Sequence, residues 1–263
     1  MKTIIYYFSA TGNSLVLARK IGTGLGNTEL VAIPQALHGT INTDVERIGL
    51  VFPVYAWGMP RIVLDFVKRL KLQKDQYVFA VATCGAVPGG TLKKLGKLVR
   101  KNGGRLAAGF AVKEAAYALL GGGNPLMKLI AKIAKPISRN GAERLPEILT
   151  AVQNNQSHRP EISSALINLI ATSFYGMALQ FFKTADKAFW VNDACTGCQV
   201  CARLCPRNNI EIVAGRPTWK HDCELCFGCV QWCPNAAIQY QEGSVGKPRS
   251  HNPGVTLDDV LLR

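Results

Sequence analysis

Acidic residues are scarce in this sequence. Its 263 residues hold 17 Asp and Glu against 31 Lys and Arg, a formal net charge of +14. Charge of either sign is sparse as well, at 18%, while 48% of residues are hydrophobic, which excludes a disordered chain. No recognised nucleic-acid motif accompanies the basic charge, so a nucleic-acid partner is not expected. A dinucleotide fingerprint is missing too. Gly22-Thr-Gly24-Leu-Gly26 falls at the end of a predicted helix, where it reads as a cap and turn, and Gly121-Gly-Gly-Asn-Pro125 reads as a loop. The opening MKTIIYYFS carries too short an apolar run for an export signal. Nine cysteines without such a signal point to a reducing, cytoplasmic setting.

The charge is unevenly spread. Residues 1–160 hold 22 Lys and Arg against 8 Asp and Glu, whereas residues 161–263 hold 9 of each. Lys68, Arg69, Lys71 and Lys74 form one basic cluster, and Lys93, Lys94, Lys97, Arg100 and Lys101 another. Each reads either as a solvated helix face or as a docking surface for an acidic redox protein. Residues 126–136 form a short basic amphipathic pattern, read as a lid or packed helix rather than a membrane-surface helix. Residues 162–182 carry no charge and approach the length of a membrane span. The polar stripe of Ser164, Asn168 and Thr172 against the apolar one of Ile162, Leu166, Leu169, Ile170, Met177 and Phe181 favours instead a helix packed between two domains.

The cysteines are ordered. Cys195-x-x-Cys198-x-x-Cys201-x-x-x-Cys205-Pro206 is followed by Cys223-x-x-Cys226-x-x-Cys229-x-x-x-Cys233-Pro234, each cysteine of the second run 28 residues after its counterpart. This is the bacterial run for 4Fe–4S clusters, in which the fourth cysteine ligates the other cluster. Two runs predict two clusters, one on Cys195, Cys198, Cys201 and Cys233, the other on Cys223, Cys226, Cys229 and Cys205. Zinc usually takes two pairs separated by a longer loop, and a disulfide framework belongs to secreted chains. Gly197 and Gly228 are expected where the backbone passes close to the cluster with positive φ. Ile210, Ile212 and Ile238, on short strands after each run, are expected to pack on the clusters, with Phe227 and Trp232 around the second.

The first half alternates. Residues 2–8, 28–33, 47–54, 77–83 and 105–112 read as strands, and residues 60–70, 91–101 and 140–153 as helices. Such alternation predicts a parallel sheet wrapped by helices, with ligands at the carboxyl ends of the strands. Three loops fall there. The first, Ser9-Ala10-Thr11-Gly12-Asn13-Ser14, leads into a helix and reads as an anion site made of neutral donors, with no lysine of the P-loop kind.

That loop, with Phe8 before it, resembles the FMN phosphate loop of flavodoxins. Pro53-Val-Tyr55-Ala56-Trp57-Gly58-Met-Pro60 resembles their second flavin loop, and Thr83-Cys84-Gly85-Ala-Val-Pro-Gly89-Gly90 their third. A flavodoxin-like domain followed by a two-cluster ferredoxin-like domain resembles a family of prokaryotic iron–sulfur flavoproteins. The resemblance implies an α/β fold, a doubly wound parallel five-stranded flavodoxin-like sheet over residues 1–160. It implies a helical connector at 161–190, a small α+β ferredoxin-like domain at 191–245 and a tail at 246–263. It implies that Ser9, Thr11, Gly12, Asn13 and Ser14 hold the FMN phosphate, that Tyr55 or Trp57 stacks on the ring, and that Pro53, Ala56, Gly58, Thr83, Cys84, Gly85 and Gly89 complete the site. The expected function is electron transfer between an external redox partner, two 4Fe–4S clusters and FMN. The alternatives are an FMN-dependent reductase of a small acceptor such as a quinone or flavin, or a redox sensor. The final Thr256-Leu-Asp-Asp259 reads as a capping box opening a short helix.

Overall fold

The computed structural model describes residues 1–115 and 139–262. The basic amphipathic pattern at 126–136 and the loop at 121–125 lie outside the described residues. The first half runs β1 (Thr3–Tyr7), α1 (Asn13–Leu25), β2 (Thr28–Ala32), a single turn α2 (Ile33–Ala36), β3 (Arg47–Pro53), α3 (Arg61–Arg69), β4 (Tyr77–Cys84), α4 (Thr91–Lys101) and β5 (Leu106–Lys113). Helix α5 (Gly141–Gln153) closes it. All five strands pair in parallel, in the order β2-β1-β3-β4-β5. This is the flavodoxin-like doubly wound order, with its topological switch between β1 and β3.

Alternation along the strands builds two cores. On one face Ile4, Tyr6, Ile48, Leu50 and Phe52 meet Val63, Phe66 and Val67 of α3 and Leu92, Leu95 and Val99 of α4. On the other, Ile5, Val51, Phe79 and Val81 meet Leu17, Ala18 and Ile21 of α1 and Ile148 and Val152 of α5. Interior β4 is buried along its whole length, which is why YVFAVATC reads as a continuous apolar run rather than an alternating one. The carboxyl ends of β1, β3 and β4 therefore open on one edge, and the three loops meet there.

The second half begins with α6 (Ala165–Thr184) and a 3-10 turn, then β6 (Phe189–Val191), α7 (Val200–Arg203), β7 (Ile210–Val213), β8 (Arg216–Trp219), α8 (Gly228–Gln231) and β9 (Ile238–Tyr240). β7 pairs with β8, and β6 with β9, both antiparallel. No described helix is long and apolar enough to cross a membrane.

Helix α6 leaves part of its apolar stripe exposed, along with Ser164 and Thr172 of the polar one. Leu169, Met177 and Phe181 are exposed at 69%, 65% and 54%, whereas Tyr175 and Phe182 are buried. The Tyr175 hydroxyl donates to the Met59 carbonyl at 2.6 Å, and its ring covers Gly58, leaving no room for a side chain there. Asn168 donates to the Ser163 carbonyl at 2.8 Å. The Tyr175 anchor, invisible to a hydrophobicity count, sets the helix rotation. The terminal segment also departs from expectation. Thr256 and Asp259 do close on each other, the Thr256 amide donating to the carboxylate at 2.8 Å. A turn follows instead of a helix, because the Leu262 amide donates to the Arg203 carbonyl at 3.0 Å and draws the backbone away.

Candidate functional site

The loop after β1 bends through Gly12, whose φ of +99° is open to glycine at little cost. A side chain there would also strike Val255 of the tail. No side chain caps α1, so the amides of its first turn remain available to an anion. The loop is braced internally, the Gly12 amide donating to Ser9 Oγ at 3.1 Å and Ser14 Oγ lying 2.9 Å from Thr83 Oγ1. Asn13 Nδ2 donates to the Ala115 carbonyl at 2.7 Å, and the tail's Asn252 Nδ2 donates to Asn13 Oδ1 at 2.8 Å.

A cavity of about 200 Å³ opens beside this loop. Ser9, Ala10, Thr11, Asn13 and Ser14 line it, with Pro53, Val54, Tyr55 and Ala56 from the second loop and Thr83, Cys84 and Gly85 from the third. Gly12, Trp57, Gly58 and Gly89 do not line it. The reason is a tight turn. Tyr55 and Gly58 exchange both backbone hydrogen bonds at 2.9 Å, while Ala56 and Trp57 take φ values of +46° and +61°. Two successive positive-φ residues make a mirror-image hairpin turn. It sends Tyr55 into the cavity and Trp57 outward, edge-on to Phe174 and against Gly89.

The cavity also draws on residues that no local pattern signals. Glu114 and Ala115 extend the carboxyl end of β5, and Phe182, Leu225, Cys226 and Phe227 come from the second half. Burial pushes the Glu114 carboxyl above the usual range, partly offset by the Gly141 amide, which donates to it at 3.2 Å. Burial likewise pushes the Cys84 thiol up to about 12. Below that pH it is protonated, so iodoacetamide at pH 8 should label Cys84 roughly a thousandfold more slowly than a free cysteine, rising about tenfold per pH unit. Peptide mapping checks this, and rapid labelling of Cys84 in folded protein would contradict it.

None of the nine cysteines is in a disulfide. Cys195, Cys198, Cys201 and Cys233 line one small cavity together with Ile212 and Ile238. Cys205 is instead an electrostatic neighbour of Cys223, Cys226 and Cys229. The fourth thiol of each run thus joins the other run's set. The two runs also share one backbone path. Positive φ recurs at Gly197 and Leu225, at Gln199 and Phe227, and at Asn208 and Ala236, each pair in matching positions of the two runs. The Asn209 amide donates to Cys205 Sγ at 3.3 Å and the Ala237 amide to Cys233 Sγ at 3.2 Å, again in matching positions. Gly228 does not have positive φ. It opens α8, and its small size lets that helix lie against Leu204 and the Ala10 carbonyl.

Burial pushes the Cys201 thiol up to about 11 and Cys223 to about 12, and raises Cys226 and Cys229 well above the ordinary range. Thiols so crowded and buried hold protons unless a cationic centre replaces them. Two four-thiol sets with amides aimed at sulfur fit such a centre.

The halves are clamped together. Glu224, between Cys223 and Cys226, accepts from the Arg61 and Ile62 amides at the start of α3. Arg61 donates to Asp222 and to the Cys223 carbonyl, and Arg207 bridges Asp65 and Asp222 at 2.8 Å each. Trp232 Nε1 donates to the Ala10 carbonyl at 2.8 Å. Tyr55 sits at this joint, its phenol pushed well above its usual value by burial, with Cys226, Glu224 and Cys223 adding to the effect. Elsewhere Glu147, His158 and Glu161 converge, but Arg144 donates to both carboxylates, at 2.9 and 2.6 Å, and makes this an ion-pair network.

No protein-family model matches the chain, and no curated protein matches it in sequence. Among solved structures it is similar to a flavodoxin from the domain Archaea, at 17% identity over 43% of this chain and 84% of that one, with a TM-score of 0.36. A similar likeness holds to Megasphaera elsdenii flavodoxin, at 18% identity over 42% of this chain and 85% of that one, TM-score 0.35. Rubredoxin oxygen:oxidoreductase from Desulfovibrio gigas shares 19% identity over 57% of this chain and 36% of that one, TM-score 0.38. The flavodoxin-like topology stands on the strand order and register of the sheet, not on these likenesses.

Proposed function

We propose that the chain is an electron-transfer protein that holds FMN in the cavity beside the loop 9–14 and two 4Fe–4S clusters on its two cysteine sets. It exchanges electrons with an external redox partner. One observation carries the reading: Cys226, with Leu225 and Phe227, lines the same cavity as Ser9, Thr11, Asn13 and Ser14. An anion loop and a thiol set that share one wall serve two cofactors that must meet. When bound, the clusters supply single-electron steps and FMN stores one electron or two.

The chain's own residues do the rest. The amides opening α1 and the side chains of Ser9, Thr11, Asn13 and Ser14 bind the phosphate without a cation. Tyr55 offers its ring to the flavin, and Phe182 and Phe227 keep water from the wall between the sites. The amides of Leu225, Asn209 and Ala237 donate to Sγ of Cys223, Cys205 and Cys233 and favour the more negative state of each set.

Anaerobic purification should yield about eight irons, with matching sulfide, and one FMN per chain. Tightly bound zinc without sulfide would overturn the reading. Asn13→Asp places a carboxylate beside the phosphate and should weaken FMN about tenfold. Titration of the flavin-free protein by fluorescence measures it, and unchanged affinity would remove Asn13 from the site.

A further inference from the structure

The loop 9–14 carries no cation, so its attraction for a phosphate depends on which way its own dipoles point. Carbonyl and amide oxygens in the loop are negative ends, and each one turned to an anion repels it. Four of them are bonded elsewhere. The Gly12 carbonyl accepts from the Val16 amide at 2.9 Å, closing the first turn of α1. The Ala10 carbonyl accepts from Trp232. The Thr11 carbonyl and Asn13 Oδ1 both accept from one tail residue, Asn252, through its amide N–H and its Nδ2, each at 2.8 Å.

Asn252 is itself held one way round. The Gly254 amide donates to its Oδ1 at 2.8 Å, so its nitrogen is the end that meets Asn13. With Oδ1 taken by Asn252, Asn13 gives one Nδ2 hydrogen to the Ala115 carbonyl and keeps a second, in a side chain that lines the cavity. The tail is fixed on both sides of this contact. Arg249 donates to the Ala236 and Ile238 carbonyls at 2.9 and 2.8 Å, and His251 stacks on Trp232 with ring centroids 3.8 Å apart. Val255 packs against Gly12, and Asp259 pairs with Arg19 of α1.

We propose that Asn252 is a positioning residue for the phosphate of the flavin. It ties down the Thr11 carbonyl and Asn13 Oδ1, so that the loop offers donors to the cavity and recognises a phosphate ester without a cation. The inference rests on the flavin reading above and adds the tail to that site. Without the Asn252 side-chain donor, the Asn13 amide is free to turn over, and its oxygen then competes with its nitrogen for the position that meets the anion. Among the described residues the Asn252 side chain bonds only to Asn13 and Gly254, so Tyr55, Thr83 and Phe182, elsewhere in the wall, stay as they are.

The test compares FMN with riboflavin, which lacks the phosphate. Each is titrated by fluorescence into iron-loaded protein stripped of flavin, and the parent should prefer FMN. Asn252→Leu keeps the backbone bond to Thr11 and removes the side-chain donor. It should weaken FMN about tenfold, the scale of a hydrogen bond serving a charged group, and leave riboflavin within about twofold. Asn252→Asp keeps the size and the bond from Gly254 but turns a carboxylate to Asn13. It should weaken FMN further, again sparing riboflavin, and it decides alone if Asn252→Leu loses iron. Equal loss of both flavins at unchanged iron would show that the tail merely props the cavity, and overturns the proposal. So does FMN affinity equal to that of the parent. A parent that binds FMN no better than riboflavin refutes instead the phosphate role of the loop itself.

Discussion

Cys205→Ala is expected to empty the set built from the second cysteine run and to leave the first run's set loaded. Cys205 belongs to the first run by sequence, but its thiol neighbours are Cys223, Cys226 and Cys229. Iron should fall from about eight to about four per chain, and the surviving EPR signal should be that of the Cys195, Cys198, Cys201 and Cys233 set. Cys233→Ala should give the mirror result, sparing the set nearer the flavin cavity. Loss of the first set's signal in Cys205→Ala would refute the crossing. The two variants together also separate the thiol set that lines the cavity beside the loop 9–14 from the set that does not.

Glu224→Ala should destabilise the protein by about 3 kcal/mol, because it leaves two buried amides at the start of α3 without acceptors. Glu224 is 2% exposed and accepts from both Arg61 and Ile62. Its partners lie more than 160 positions away in sequence, so the loss is felt at the joint between the halves rather than within either. Glu224→Gln keeps an acceptor oxygen and should lose about half as much. Chemical denaturation of the loaded protein measures both. An alanine variant within about 1 kcal/mol of the parent would show that water takes the acceptor's place.

Much of this was legible in the sequence because it is written locally. The buried strands are short apolar runs, the anion loop is Ser-Ala-Thr-Gly-Asn-Ser between a strand and a helix, and the cysteine spacing repeats. What stayed hidden depends on contacts between distant residues. Nothing near Glu224 signals that it caps a helix of the other half. Tyr55 and Trp57 are equally plausible ring partners by residue type, and only the positive φ of Ala56 and Trp57 sends one inward and the other outward. Neither Ala nor Trp advertises that turn, which ordinarily favours Asn and Gly. The apolar stripe of helix α6 predicts its packed face, yet the Tyr175 hydroxyl, bonded to the distant Met59 carbonyl, fixes its rotation.

The cavity beside the loop 9–14 is walled from both halves of the chain, with Ser9 and Thr11 near its beginning and Leu225, Cys226 and Phe227 late in it. Whatever settles either wall settles the other. On the proposed reading, a cluster that fixes Cys226 in this wall should tighten flavin binding, and by reciprocity bound flavin should tighten metal loading of that set by the same free energy. The two proposed cofactors would then assemble cooperatively, and a chain that lost one would hold the other less tightly.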